Sequence, residues 1–145
     1  MNEKMRLILD TMVKGKWRAA AGELIGFKLT EYGDGKAVYT MRADKRHHNP
    51  MGSVHGGILC DIMDAAMGIA FVTTLNENEN FTTINLQVNY LKGITESDLI
   101  AEGKVVKRGK TIGYTECNLK DTEGNLIAVA QSTCMVLREK PIQAY

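Results

Sequence analysis

The sequence has too few cysteines, too little net charge and too short apolar runs to fit several common classes of protein. Its three cysteines, Cys60, Cys117 and Cys134, match the spacing of neither a zinc site nor a Cys-x-x-Cys redox pair, and they fit a reducing, cytoplasmic setting. A net charge of +1 gives no sign of a nucleic-acid-binding surface. No apolar stretch reaches the roughly 20 residues of a membrane span, and the amino terminus lacks the pattern of a signal peptide. We therefore expect a soluble protein with neither nucleic acid nor a membrane as partner.

The length of 145 residues predicts one domain, with residues 1–20 as an amino-terminal helix and lead-in. Apolar spacing predicts an amphipathic helix over 3–13 and a long central helix from about His55 to Leu75, with Ser53 as its N-cap. Alternation and turn residues predict strands over 25–31, 36–42, 81–91, 97–107, 111–120 and 126–137. In the strand over 81–91, Ile84 should share a face with Leu86, opposite Thr83. The expected class is α+β, an antiparallel sheet of five to six strands around one helix.

The central helix carries the most informative residues in the chain. Its large apolar side chains point all round the axis, as in a helix buried on every side, yet Asp61 and Asp64 lie among them. A buried carboxylate is costly unless it is paired, hydrogen-bonded or used in chemistry. Gly56 and Gly57 open the helix and leave backbone N–H groups uncovered, ready for an anion or a developing oxyanion. A carboxylate beside such a helix start indicates a hydrolase acting by acyl transfer.

The spacing Asn49-x5-His55-Gly56-Gly57-x6-Asp64, followed by a strand containing Thr83, resembles the hot-dog fold acyl-CoA thioesterases of the phenylacetyl-CoA thioesterase (PaaI-like) type. The resemblance extends from about residue 20 to residue 138. It implies hydrolysis of an acyl-CoA thioester to a free acid and coenzyme A, with no cofactor beyond the substrate's own coenzyme A. It also implies a homodimer at minimum, joined through the strand after the helix, and it favours a homotetramer.

The same resemblance assigns roles to the motif residues. Asp64 matches the general base or nucleophile, and the backbone N–H of Gly56 matches the oxyanion donor. Asn49 would place the water or the thioester, and His55 would orient the loop and the substrate carbonyl. Thr83 would bond the attacking water from the neighbouring subunit. One subunit would thus supply Asn49, His55 and Gly56, and the other would supply Asp64 and Thr83.

Three basic residues, Lys107, Arg108 and Lys110, form a turn between strands. By resemblance this turn binds the phosphates of coenzyme A, although such residues also suit any exposed hairpin tip. Asp61 departs from the commoner family pattern. It could bond an amide across the subunit interface, and two acids one turn apart would raise each other's pKa.

A metal site is conceivable by ligand type alone, because the chain contains candidate ligands at His47, His48, His55 and Asp64. The resembling family hydrolyses its substrates without a metal, so none is expected.

Two alternative functions share the predicted fold. One is a non-catalytic module that binds acyl-CoA, although such sensors usually lose the acid. The other is an enoyl-CoA hydratase, whose Asp/His dyad would have to come from Asp44 and His55 at an unconvincing distance. The residues leave the acyl group open between aryl and medium-chain acids.

Overall fold

A computed structural model describes residue 1 and residues 3–138. The element order is α1 Glu3–Val13, α2 Ala20–Ile25, β1 Lys28–Gly33, β2 Lys36–Ala43, a 3-10 turn Lys45–His47, α3 Gly56–Val72, β3 Glu79–Tyr90, β4 Ser97–Arg108, β5 Ile112–Asp121 and β6 Leu126–Arg138. The six strands form one antiparallel sheet in the order β1-β2-β4-β5-β6-β3. This arrangement confirms the predicted α+β class, with the sheet at the upper end of the expected strand number. No helix among the described residues is long and apolar enough to cross a membrane.

Helix α3 packs on one face of the sheet, and two glycines on the strands allow the close approach. A Cβ added at Gly103 of β4 would lie 2.5 Å from the backbone carbonyl of Ala66 in the helix. A Cβ added at Gly113 of β5 would collide with the ring of Phe71. The backbones of β4 and β5 therefore lie directly against α3 at these two glycines. This close contact fixes the position of α3 and of the residues on it.

The first predicted strand starts too early. Ile25 is the last residue of the short helix α2, which the sequence analysis missed, and Gly26 follows with φ +98° as its left-handed cap. The strand begins only at Lys28. A six-residue helix has too few turns to show a helical period, so the apolar residues at its end resembled the start of a strand.

The central helix begins and ends slightly inside its predicted bounds. Its N-cap is His55 rather than Ser53, because the His55 Nδ1 accepts the N–H of Gly57 at 2.9 Å. At the other end the hydroxyls of Thr73 and Thr74 donate to backbone carbonyls three residues earlier, each at 2.7 Å. These bonds satisfy the last carbonyls and close the helix before Leu75.

Strand β3 departs from simple alternation at a β-bulge. Thr83 pairs with Cys134 and Asn85 pairs with Thr133, so Ile84 has no partner of its own and is 54% exposed. The prediction that Ile84 and Leu86 share a face, opposite Thr83, is wrong. Thr83 is half-buried on the same face as Phe81, whose ring contacts Phe71 of α3. The bulge therefore turns Thr83 toward the central helix.

Candidate active site

The start of α3 leaves one backbone donor free. His55 satisfies two of the first N–H groups, since its Nδ1 accepts the N–H of Gly57 and its carbonyl accepts that of Ile58 at 3.0 Å. No acceptor within the described residues faces the N–H of Gly56. At a helix N-terminus such a donor is electropositive and attracts an anion or a developing negative charge. Of the two glycines, only Gly56 keeps its N–H free, and its role as an oxyanion donor stays a prediction.

Tyr90, the last residue of β3, contacts the same glycine. Its hydroxyl donates to the carbonyl oxygen of Gly56 at 2.7 Å. A Cβ on Gly56 would lie 2.9 Å from the Tyr90 ring, so only glycine fits there without displacing the tyrosine. The sequence analysis missed this contact because 34 residues separate the two positions and no local pattern connects them.

Asn49 organises the loop that leads into the helix. Its Oδ1 accepts the N–H groups of Met51 at 2.9 Å and Ser53 at 3.3 Å, and its Nδ2 donates to the Ser53 hydroxyl at 3.0 Å. The second Nδ2 proton remains for another acceptor. The predicted contact of Asn49 with water or substrate stays a prediction, whereas its part in shaping the loop is visible.

Asp64 lies two turns into α3 and is half-buried. Burial raises the pKa of its carboxyl, and the negative charge of Asp61 raises that pKa further. Burial also raises the pKa of Asp61, which is the more exposed of the two. No hydrogen-bond donor in the described chain reaches the carboxylate of Asp61 or of Asp64. Among the described residues, the only fully buried side-chain polar atom without a hydrogen-bond partner is Nε of Arg108, so neither carboxylate is buried without a partner. The oxygens of Asp64 are therefore accessible and unpaired, as a general base requires.

A buried polar cluster lies next to Asp64. The Cys134 thiol is fully buried, lies 3.8 Å from the Ser132 hydroxyl, and is hydrogen-bonded to Thr83. Burial raises the pKa of this thiol, and the charge of Asp64 adds to that rise. Thr83 and Asp64 thus both act on the Cys134 thiol, Thr83 through a hydrogen bond and Asp64 through its charge, and the grouping of these two residues in one site stays a prediction. Only the polar character of Ser132 and Cys134 within an apolar strand could have indicated this cluster from the sequence.

The three basic residues of the turn between β4 and β5 differ in exposure and in pairing. The Arg108 guanidinium pairs with Glu79 at 2.6 Å and lies 5.4 Å from the centre of the Phe71 ring. Its geometry speaks against the predicted phosphate contact because its charge is already paired and the side chain is only 20% exposed. Lys107 and Lys110 are both exposed, and their phosphate role stays a prediction.

The three histidines do not converge. Nε2 of His47 donates to the Ile25 carbonyl at 2.8 Å, Nε2 of His48 donates to the Thr95 carbonyl at 2.7 Å, and His55 caps the helix. No group of three or more metal-ligating side chains occurs among residues 1 and 3–138. The structure therefore does not assemble the conceivable metal site of His47, His48, His55 and Asp64.

Comparison with known proteins gives concordant results. The sequence model of the Thioesterase superfamily matches residues 51–128, from the loop before α3 into β6. Human acyl-coenzyme A thioesterase 13 is 24% identical over 136 residues, which cover 92% of this chain and 94% of that protein. The 1,4-dihydroxy-2-naphthoyl-CoA hydrolase of Listeria monocytogenes is 22% identical over 118 residues, covering 81% and 96%. The solved structure of a thioesterase from Haemophilus influenzae superposes with a TM-score of 0.82 at 19% identity, covering 94% of each chain, and shows a shared fold.

Proposed function

The chain belongs to the thioesterase superfamily and is a thioester hydrolase, and we propose that its substrate is an acyl-CoA, cleaved to a carboxylic acid and coenzyme A. The named activities of the human and Listeria relatives support this substrate class. The observation that carries the proposal is the combination, on one helix, of an unpaired backbone donor at Gly56 and an unpaired Asp64 with a raised pKa. Within the superfamily we place the chain with the phenylacetyl-CoA thioesterase (PaaI-like) type.

The proposed reaction uses Asp64 as the general base. Its carboxylate takes a proton from water while the oxygen attacks the thioester carbonyl, and the Gly56 N–H stabilises the resulting oxyanion. The tetrahedral intermediate then releases the coenzyme A thiolate, which receives the proton held by Asp64. A raised pKa suits this task because it makes the ionised carboxylate a better proton acceptor. Direct attack by Asp64 would instead expel the coenzyme A thiolate and form a mixed anhydride, which water then opens. In a single turnover in H₂¹⁸O, solvent oxygen would enter Asp64 when water attacks the Asp64 carbonyl of that anhydride.

The geometry of α3 favours a site built from two copies of the chain. Gly56 and Asp64 are eight residues apart, which corresponds to about 12 Å along the helix axis. A donor and a base acting on one carbonyl should each lie within roughly 3 Å of their target atoms, so the two groups of one helix are too far apart. A twofold axis that brings Gly56 of one copy to Asp64 of the other removes this difficulty.

Strand β3 offers the edge for such a pairing. It bonds only to β6 among the described strands, and its outward positions include the exposed Ile84. A free edge of 12 residues is a ready template for a second copy of itself. We propose a homodimer through β3, with Asn49, His55 and Gly56 from one subunit and Asp64 and Thr83 from the other, and pairing of dimers into a homotetramer.

Complementation tests the shared site. Asp64→Asn should lose nearly all activity because it removes the base, and Gly56→Ala should lose much of it because the added Cβ must displace Tyr90 and the backbone at the donor. Mixed dimers contain one site with both native groups. Unfolding and refolding the two variants together should restore about a quarter of wild-type activity, as random pairing in a twofold dimer predicts. Asn49→Ala serves as the second partner if Gly56→Ala, which must displace Tyr90, does not fold. A mixture with no gain over its components would contradict the shared site.

Replacement of Asp64 tests the chemistry. Asp64→Asn should lower kcat by about 10²- to 10⁴-fold, because the amide cannot take the proton from water. Release of free thiol from acyl-CoA measures the rate, and circular dichroism checks the fold. Asp61→Asn is the matched control, and it should keep most of the activity. Near-normal turnover in Asp64→Asn would contradict the mechanism, and binding of acyl-CoA by the wild type without any thiol release would favour a binding module instead.

The two exposed lysines of the basic turn test substrate recognition. Lys107→Ala combined with Lys110→Ala should raise KM for acyl-CoA by about three- to tenfold, since each lysine can contribute a charge-assisted contact to phosphate. The KM for the corresponding acyl-pantetheine, which lacks the nucleotide, should not change. Lys28→Ala, which removes an exposed lysine from the edge strand β1, is the control. Equal effects on both substrates would show that the turn does not bind the nucleotide.

A panel of benzoyl-, phenylacetyl- and straight-chain acyl-CoA esters identifies the acyl group. A kcat/KM higher for the aryl esters would support the proposed phenylacetyl-CoA thioesterase type. Hydration of an enoyl-CoA without thiol release would instead favour the hydratase.

A further inference from the structure

One peptide group at the start of α3 is held from both ends. The carbonyl of Gly56 and the N–H of Gly57 belong to the same planar unit. Tyr90 donates its hydroxyl to the oxygen of that unit at 2.7 Å, and His55 Nδ1 accepts its N–H at 2.9 Å. The two side chains therefore fix the orientation of the peptide between the two glycines.

Such restraint matters because glycine is otherwise the most freely rotating residue in a chain. The unpaired N–H of Gly56 lies on one side of its Cα, and the restrained peptide lies on the other. Fixing the peptide fixes ψ of Gly56 and so removes one of the two torsions that can turn its N–H relative to the helix. The Tyr90 ring also occupies the space beside the Gly56 Cα, 2.9 Å from where a Cβ would be.

We infer that Tyr90 is a positioning residue for the oxyanion donor: it acts through the Gly56–Gly57 peptide and aims the Gly56 N–H at the substrate carbonyl. This inference rests on the proposed function of Gly56. Because a preorganised donor needs no reorientation when charge develops on the carbonyl oxygen, the benefit should appear in the chemical step rather than in binding.

The surroundings of Tyr90 keep it a hydrogen-bond donor. Burial raises the pKa of its phenol, and the nearby Cys60 and Asp61 raise that pKa further when they carry negative charge. The hydroxyl therefore keeps its proton near neutral pH, and its bond to the Gly56 carbonyl persists over that range. Tyr90 is also 52% exposed, so removal of its hydroxyl alone should not disturb the core.

Tyr90→Phe tests the inference because it keeps the ring beside Gly56 and removes only the hydroxyl. We expect kcat to fall about three- to tenfold, as loss of one hydrogen bond predicts, with KM for acyl-CoA unchanged within about twofold. Tyr114→Phe is the matched control, since it removes a hydroxyl that bonds to the Gln131 side chain across β5 and β6 and not to the start of α3. It should leave kcat and KM unchanged.

The amide resonance of Gly57 gives a readout that does not depend on turnover. Loss of the bond to the adjacent carbonyl should shift this resonance in the ¹H–¹⁵N spectrum of Tyr90→Phe and leave it in place in Tyr114→Phe. A shifted resonance with unchanged kcat would overturn the positioning role, and so would a rise in KM alone. Loss of the basic limb of the pH–rate profile would also overturn it, because Tyr90 would then be a proton donor to the reaction. A wild type that cleaves no acyl-CoA would instead reject the proposed function, and the inference with it.

Discussion

The two halves of helix α3 differ in how many of their polar groups lack a hydrogen-bond partner. In the carboxyl-terminal half, Ala66 and Phe71 are fully buried, and Gly103 and Gly113 bring the sheet against them. In the amino-terminal half, the N–H of Gly56 and the carboxylates of Asp61 and Asp64 have no partner in the described chain. Both halves bury apolar side chains, but only the amino-terminal half also retains the unpaired polar groups that chemistry needs.

Carboxylates near the two halves of α3 also differ, in the direction of their pKa shifts. Near the carboxyl-terminal half, Glu79 accepts from Arg108 at 2.6 Å and from Arg138 at 2.9 Å. A backbone N–H at Asn76 and these two guanidinium groups hold the pKa of Glu79 below its usual value. Near the amino-terminal half, burial moves the pKa of Asp64 in the opposite direction. The sign of the shift separates a carboxylate paired for structure from one left free to accept a proton.

Gly103→Ala disrupts the packing of the carboxyl-terminal half of α3 against the sheet, and it should have the largest effect on the free energy of unfolding. The added Cβ would lie 2.5 Å from the backbone of α3, so helix and sheet must move apart. We expect a loss of about 3 kcal/mol in the free energy of unfolding, measured by urea denaturation. Gly93→Ala is the control, since a Cβ there meets nothing within 4 Å. Equal stability of the two variants would show that the close contact is not needed.

Asp64→Asn should act on stability in the opposite direction to its effect on activity. The folded-state pKa of Asp64 is raised, so its contribution to stability is fully present below the usual aspartate value of 3.8 and is lost as the pH rises through the folded-state pKa. Asparagine does not ionise and avoids that loss. The variant should be more stable than the wild type at neutral pH and should gain nothing from this source at low pH. Urea denaturation of both proteins across this pH range measures the difference, and a gain independent of pH would contradict the explanation.

Asp61→Asn should produce the smallest effect, confined to the pH profile. Burial is the main cause of the raised pKa of Asp64, and the charge of Asp61 is the lesser one. Removal of that charge should move the acid limb of kcat/KM for acyl-CoA to lower pH. Asp98→Asn, which removes an acid paired with Arg42, should leave the limb in place. A shift to higher pH in Asp61→Asn would refute the proposed coupling.

The sequence predicted the main elements because their patterns are local. The helix over 3–13, the long apolar helix and five of the six strands follow from spacing alone, to within three residues at most of their ends. The β-bulge at Thr83 could not be predicted, because it depends on how β3 pairs with β6 some 50 residues later. The short helix α2 was not predicted because six residues are too few to show a helical repeat of apolar residues. The ion pair of Arg108 with Glu79 was not predicted because the two residues are far apart in the sequence.

The sequence by itself determined that a helix apolar on all sides would carry two aspartates and begin with two glycines, because periodicity and residue type suffice for that. Only the tertiary structure decided that Gly56 rather than Gly57 keeps its N–H free, that Tyr90 holds the peptide between them, and that Thr83 pairs with Cys134 at a β-bulge. These outcomes depend on contacts between segments far apart in the chain, and on the burial that those contacts create. The free donor and the raised pKa of Asp64 are properties of the fold rather than of the motif.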